Sequence, residues 1–109
     1  MHELGITRNI IAIVSERANN RRVLRVQLSV GRLSAILADA ISFCFDICSK
    51  NTVAEGASLE ICYIDGRLKC RSCGTEKASN TLYGQCVCGS SDMQCIAGEE
   101  LLISEIELE

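Results

Sequence analysis

Eight cysteines and a single histidine carry most of the special chemistry open to this 109-residue chain. Cys70 and Cys73 form a C-x2-C pair, twelve residues follow, and Cys86-Val87-Cys88 forms a C-x-C pair. Two short pairs joined by a loop of this length are the pattern of tetrahedral Zn(II) held by four thiolates. Each pair brings two sulfurs from one turn, and the loop folds back to close the tetrahedron. Gly74 and Gly89, one after each pair, suit turns that aim backbone N–H groups at sulfur. Four protein ligands leave no open coordination position, so the zinc is structural, and a binding energy on the order of 10–16 kcal/mol for small zinc modules becomes folding energy. A C-x-C pair is tighter than the usual knuckle, which leaves Cys95 as an alternative to Cys86 or Cys88. A redox dithiol also uses C-x2-C, but at the start of a helix beside a strand, and this stretch supplies no helix. Cys44 and Cys48 on an apolar helical stripe, and Cys62 in a strand, read as small core hydrophobes.

The histidine is His2. At that position the Met1 α-amine, the amide nitrogen between residues 1 and 2, and the imidazole can chelate one ion through adjoining small rings. Ni(II) and Cu(II) favour such nitrogen-rich planar sets, whereas Zn(II) prefers a tetrahedron. With the histidine committed to metal no Ser/His/Asp set is available, and no glycine-rich phosphate cradle is present, so an enzyme is not expected.

Composition narrows the partners. Only two Phe, two Tyr and no Trp are present and the formal charge is -3, which argues against a nucleic-acid reader that needs a basic stripe or stacking aromatics. Arg21, Arg22 and Arg25 read as a solvated strand edge. No stretch approaches the roughly 18 apolar residues that cross a bilayer, and Glu3, Thr7, Arg8 and Asn9 interrupt any leader-like run. The expected location is the cytoplasm, where paired cysteines usually hold metal.

The elements that position these groups follow from periodicity. Leu4, Ile6, Ile10, Ile11, Ile13 and Val14 recur at helical spacing until Asn19-Asn20. Leu24, Val26, Leu28 and Val30 alternate with polar residues, predicting a strand before Gly31. Ser34 is a candidate cap for a second helix with Leu37, Ile41, Cys44, Phe45 and Cys48 on one stripe, ending at Lys50-Asn51. Residues 58–64 read as a strand stopped by Asp65-Gly66, and the tail LLISEIELE as a third, with Leu102, Ile106 and Leu108 on one face. Between Leu68 and Gly98 the long aliphatics thin out, so that stretch needs a staple. The expected fold is α/β, a small three-stranded sheet with two helices, interrupted by a zinc-ribbon-like four-cysteine lobe. Residues 1–66 and 99–109 would form a nickel-binding domain and residues 67–98 a zinc-binding domain.

The terminal MHE, the VGRLS turn, FCFDI followed by TVAEGASLEI, and the late paired-cysteine lobe together resemble the HypA/HybF hydrogenase nickel-incorporation proteins over essentially the whole chain. The resemblance implies a nickel metallochaperone for [NiFe]-hydrogenase maturation that acts with the GTPase HypB, delivers Ni(II) to the hydrogenase large-subunit precursor, and in some members serves urease. It implies nickel at Met1, His2 and Glu3, and zinc at the paired cysteines. The family's second pair is usually C-P-x-C, whereas this chain has Cys86-Val87-Cys88 and no proline. The alternative from another class is a zinc-ribbon protein–protein adaptor with no nickel role.

Overall fold

The computed structural model describes residues 2–82 and 84–109, and of His2 the backbone alone. Helix α1 runs His2–Ala18, strand β1 Val23–Gly31, helix α2 Ala38–Cys48 and strand β2 Ser58–Ile64; β3 is Arg67–Cys70, β4 Glu76–Ala78, β5 Met93–Ala97 and β6 Leu101–Leu108. They form two three-stranded sheets, ordered β2-β1-β6 and β4-β3-β5. The fold is the expected α/β arrangement of two helices and a small sheet, interrupted by a zinc-ribbon-like lobe around a four-cysteine cluster. The chain divides into two compact units, the first comprising Met1–Leu28, Ile36–Cys62 and Leu102–Glu109, the second Ser29–Ala35 and Tyr63–Leu101.

In the first unit α1 packs against α2. The buried stripe of α1 is Thr7, Ile10, Ile11, Val14 and Ala18, spaced three, one, three and four residues apart, so one helical face is covered. Ile13 is exposed, because it falls off that stripe despite its hydrophobicity. The helix ends at Asn19 and Asn20, both at positive φ (50° and 69°), a conformation that Asn tolerates better than most residues. Ile41 and Phe45 of α2 are fully buried, while Cys44 and Cys48 are half-buried beside them. Asn51 at φ 65° turns the chain after α2, and its amide donates to Glu55 Oε1.

Four expectations change. Cys62 is not a core hydrophobe: it is exposed on β2, where its sulfur accepts from the Gln27 side-chain amide at 2.7 Å. Ser34 does not cap α2: the residue before the helix is Leu37, extended and with no side-chain cap bond, and Leu37 is 65% exposed. The Ser34 hydroxyl instead donates to the Gly31 carbonyl at 2.7 Å. Leu24 is exposed while Val23 is buried, so the alternation of β1 shifts between Val23 and Val26. In β6 the better covered residues are Leu101 and Ile103, then Ile106 and Leu108; two successive exposed residues, Ser104 and Glu105, shift the face and leave Leu102 outside. A residue's partners decide which side of a short strand is covered, and one strand's period does not contain them.

In the second unit β3 pairs antiparallel with β4, Leu68 opposite Lys77, and with β5, Leu68 opposite Cys95. Leu68 and Cys70, both on β3, are the fully buried side chains of this small sheet among the described residues. Three backbone segments of this unit meet at Gly31, Gly66 and Gly98: the Leu33 amide donates to the Gly98 carbonyl at 2.7 Å and the Gly31 amide to that of Glu100 at 2.8 Å. A Cβ on Gly31 would collide with the Gly98 carbonyl, and one on Gly98 would lie 2.6 Å from Gly66 Cα, so this approach demands glycine.

Candidate metal centre

Cys70 ends β3 and Cys73 lies in the turn that follows. The Cys70 amide donates to the Thr75 carbonyl at 2.8 Å, and the Gly74 amide donates back to the Cys70 carbonyl at 2.9 Å. Around the second pair the Cys86 amide donates to Ser90 at 2.8 Å and the Gly89 amide to Cys86 at 2.9 Å. Both pairs therefore fold into one kind of closed turn, the second with each bond spanning one residue fewer. Losing one residue between the cysteines is absorbed by a shorter turn. Gly74 (φ 80°) and Gly89 (φ 92°) close the two turns in the left-handed region. The turns are also tied to each other and to the approach to β5, through the Ser72 hydroxyl on the Ser90 hydroxyl at 3.0 Å and the Arg71 amide on the Asp92 carbonyl at 2.9 Å.

These turns bring Cys70, Cys73, Cys86 and Cys88 together, with all four Sγ within 4.8 Å of one another. Cys70 Sγ lies 3.6 Å from Cys88 Sγ, and Cys73 Sγ 3.5 Å from Cys86 Sγ. A disulfide is about 2.05 Å, so these are free sulfurs. Four sulfurs each about 2.3 Å from a central Zn(II) stand about 3.8 Å apart, which is the scale of this cluster. Soft thiolates in a tetrahedral set suit zinc. Cys95 is not in the quartet; it sits half-buried on β5, with its thiol donating to the Ala97 carbonyl at 3.2 Å.

Proton affinities differ around the cluster. Cys73 is pulled down to about 6, first by the Thr75 hydroxyl 3.1 Å from its sulfur, then by the Thr75 amide and by Cys86. Cys70 is lowered chiefly by the Cys73 amide, against the opposing effect of burial. Cys88 is drawn down by the Ser90 amide, but sharing protons with Cys70, Cys86 and Cys73 outweighs this and pushes it up to about 11. The donor set is thus prepared to give up its protons unevenly, Cys73 before Cys88. Burial, then Glu99, pushes the Cys95 thiol up, the opposite of what a ligand needs.

The other expected site falls mostly beyond description: Met1 and the His2 imidazole lie outside the described residues. The backbone of α1 begins at His2, and the Glu3 carbonyl accepts a 2.6 Å hydrogen bond from the Thr7 hydroxyl. The first four N–H groups of an α-helix have no partner within it, so the amides of this segment are not tied into the helix ladder. Thr7, fully buried, was not singled out in sequence, although its spacing to Ile10, Ile11 and Val14 marks it as part of the core stripe. The arginines are structural: Arg25 on β1 bonds Glu60 at 2.8 Å, Glu105 at 2.7 Å and Glu107 at 3.1 Å, and these contacts raise its proton affinity. No helix among the described residues is long and apolar enough to cross a membrane.

A nickel-handling class of small metalloproteins emerges from comparison with known proteins. Residues 1–108 match the family model described as hydrogenase/urease nickel incorporation, metallochaperone, hypA. The hydrogenase maturation factor HypA of Trichormus variabilis is 60% identical over 109 residues, covering 100% of this chain and 96% of that protein. The factor of the same name from Geobacter metallireducens is 43% identical over 110 residues and covers 100% of both chains. The solution structure of a HypA protein is similar at a TM-score of 0.77 and 26% identity, covering 100% of this chain and 97% of that one. That of the Ni metallochaperone HypA from Helicobacter pylori shares the fold at a TM-score of 0.71 and 23% identity, covering 97% and 96%. The chain belongs to the HypA family of nickel-incorporation metallochaperones for hydrogenase maturation.

Proposed function

We propose that this protein takes up Ni(II) through Met1, His2 and Glu3 and delivers it to a [NiFe]-hydrogenase large-subunit precursor, with HypB as its GTPase partner and urease maturation proteins as a second possible destination. The observation that carries the reading is the family match running through Met1-His2-Glu3 to the end of the cysteine lobe. Nickel is cargo, and the requirement is a site strong enough to select and labile enough to release. A peptide chelate meets it because the amine, amide and imidazole take protons back as contacts rearrange. The stability order places Cu(II) above Ni(II) at such donors, so fidelity must come from availability and docking.

Cys70, Cys73, Cys86 and Cys88 would hold a structural Zn(II), whose chemistry is to neutralise and cross-link four thiolates. The division of labour follows: residues 1–66 with 99–109 carry nickel, and residues 67–98 carry zinc. No catalysis is assigned, and the protein acts in the cytoplasm. Nickel titration of zinc-loaded protein tests the reading. Expected is a one-to-one complex with a planar ligand-field spectrum, lost in His2→Ala and nearly as much when one residue is added before Met1. Glu3→Ala should do less, since its amide nitrogen remains. Undiminished affinity and an unchanged spectrum in the extended protein would remove the amine from the site. Failure to bind nickel at all would leave the zinc-ribbon adaptor.

A further inference from the structure

Thr7 occupies a position where the covered face of α1 calls for an aliphatic residue. It is 0% exposed and continues the stripe of Ile10, Ile11, Val14 and Ala18. Valine has nearly the same shape and no hydroxyl to desolvate. A buried hydroxyl is destabilising unless it finds a partner, and this one finds the Glu3 carbonyl, at 2.6 Å. Helical geometry already aims the Thr7 amide at that same carbonyl. Two donors from one residue therefore converge on the peptide that follows Glu3.

We infer that Thr7 is a positioning residue for nickel uptake, pinning the Glu3 peptide so that the chelating segment starts from a fixed point. This rests on the reading of Met1-His2-Glu3 as the nickel site. Helix ends fray, and a segment that must be ordered on binding loses affinity to the entropy of ordering. The Thr7 side chain is immobilised by the core, so its hydroxyl carries the core's rigidity into the first turn. Nickel then orders fewer residues. The device adds no ligand and alters no charge; it acts only through the backbone of Glu3.

The test compares Thr7→Val, which keeps shape and branching, with Thr7→Ser, which keeps the hydroxyl, and with His2→Ala, all as full-length zinc-loaded protein titrated with Ni(II). Thr7→Val should bind nickel roughly three- to tenfold more weakly, the worth of one hydrogen bond. Its zinc content should stay unchanged, its melting temperature should not fall in proportion, and amide exchange at position 7 should be faster. Thr7→Ser should restore most of the affinity. Wild-type affinity in Thr7→Val, with binding lost in His2→Ala, overturns this inference and leaves the nickel site standing. Undiminished binding in His2→Ala overturns the nickel reading, and the role of Thr7 with it.

Discussion

The two units stay folded by different means. The first buries Ile10, Ile11 and Val14 of α1, Val23, Val26 and Leu28 of β1, and Ile41 and Phe45 of α2, with the two helices packed together. Among the buried apolar residues of the second, apart from Val30, are Leu68 and two cysteines of the quartet, Cys70 and Cys86. Burying a large aliphatic or aromatic side chain stabilises by about 1.5–3 kcal/mol, and the second unit has few such chains to set against the entropy of its loops. One unit is a hydrophobic core, the other a set of turns gathered around four cysteines that can hold a metal. The lesson is that loss of metal and loss of core should damage different halves of the same protein.

The sharpest way to break that contrast is to remove a ligand. Cys70→Ala or Cys73→Ala should abolish stoichiometric zinc and unfold residues 67–98, while α1 and α2 retain their helical signal. Metal analysis and backbone NMR would read both, and a full zinc complement in either variant contradicts the four-thiolate centre. Cys88→Ala should behave the same way and Cys95→Ala should keep its zinc.

The converse substitution is Phe45→Ala, a fully buried side chain of α2. A cavity of that size costs about 3–5 kcal/mol, so the first unit should melt at much lower temperature with zinc content unchanged. If zinc were lost in proportion to the helical signal, the two units would not be energetically separate.

A smaller effect concerns protons in the metal-free protein. Cys73, held at about 6 against an ordinary 9, favours its thiolate, so its stabilisation is complete above pH 9 and is lost as the pH falls through 6. Cys88, pushed up to about 11, favours its thiol, so its contribution is complete below pH 9 and is lost as the pH rises through 11. At pH 7.5, roughly physiological, an alkylating agent should therefore mark Cys73 well before Cys88, though both are exposed. Peptide mapping by mass spectrometry decides it, and earlier labelling of Cys88 would count against the assigned hydrogen bonds.

The least effect is expected from Arg25→Ala. Its three carboxylate partners are more than half exposed, and ion pairs of that kind contribute little once salt screens them. Melting should fall by only a few degrees at low salt and by less at high salt. A large, salt-independent loss would mean that Arg25 is part of the core rather than a clasp across β2, β1 and β6.

Much of this was legible in the residues alone because the signals are local. C-x2-C and C-x-C, each followed by glycine, encode two turns, and turns need only their own few residues to form. The helices were readable from their periodic apolar residues and from Asn19-Asn20 and Lys50-Asn51, which end them. Tertiary structure decided the rest. Local spacing favours Cys88 but does not exclude Cys95; the antiparallel register sets Cys95 opposite Leu68, with its thiol on the Ala97 carbonyl and outside the quartet. Leu24 and Leu102 looked like core and are exposed, because the covered side of a strand depends on what packs against it. The clasp of Arg25 on Glu60, Glu105 and Glu107 joins residues up to 82 positions apart, which only the strand order β2-β1-β6 brings within reach. Thr7 was legible only in part: its spacing to Ile10, Ile11 and Val14 places it on the covered stripe, but the packed helix alone shows its hydroxyl donating to the backbone of Glu3.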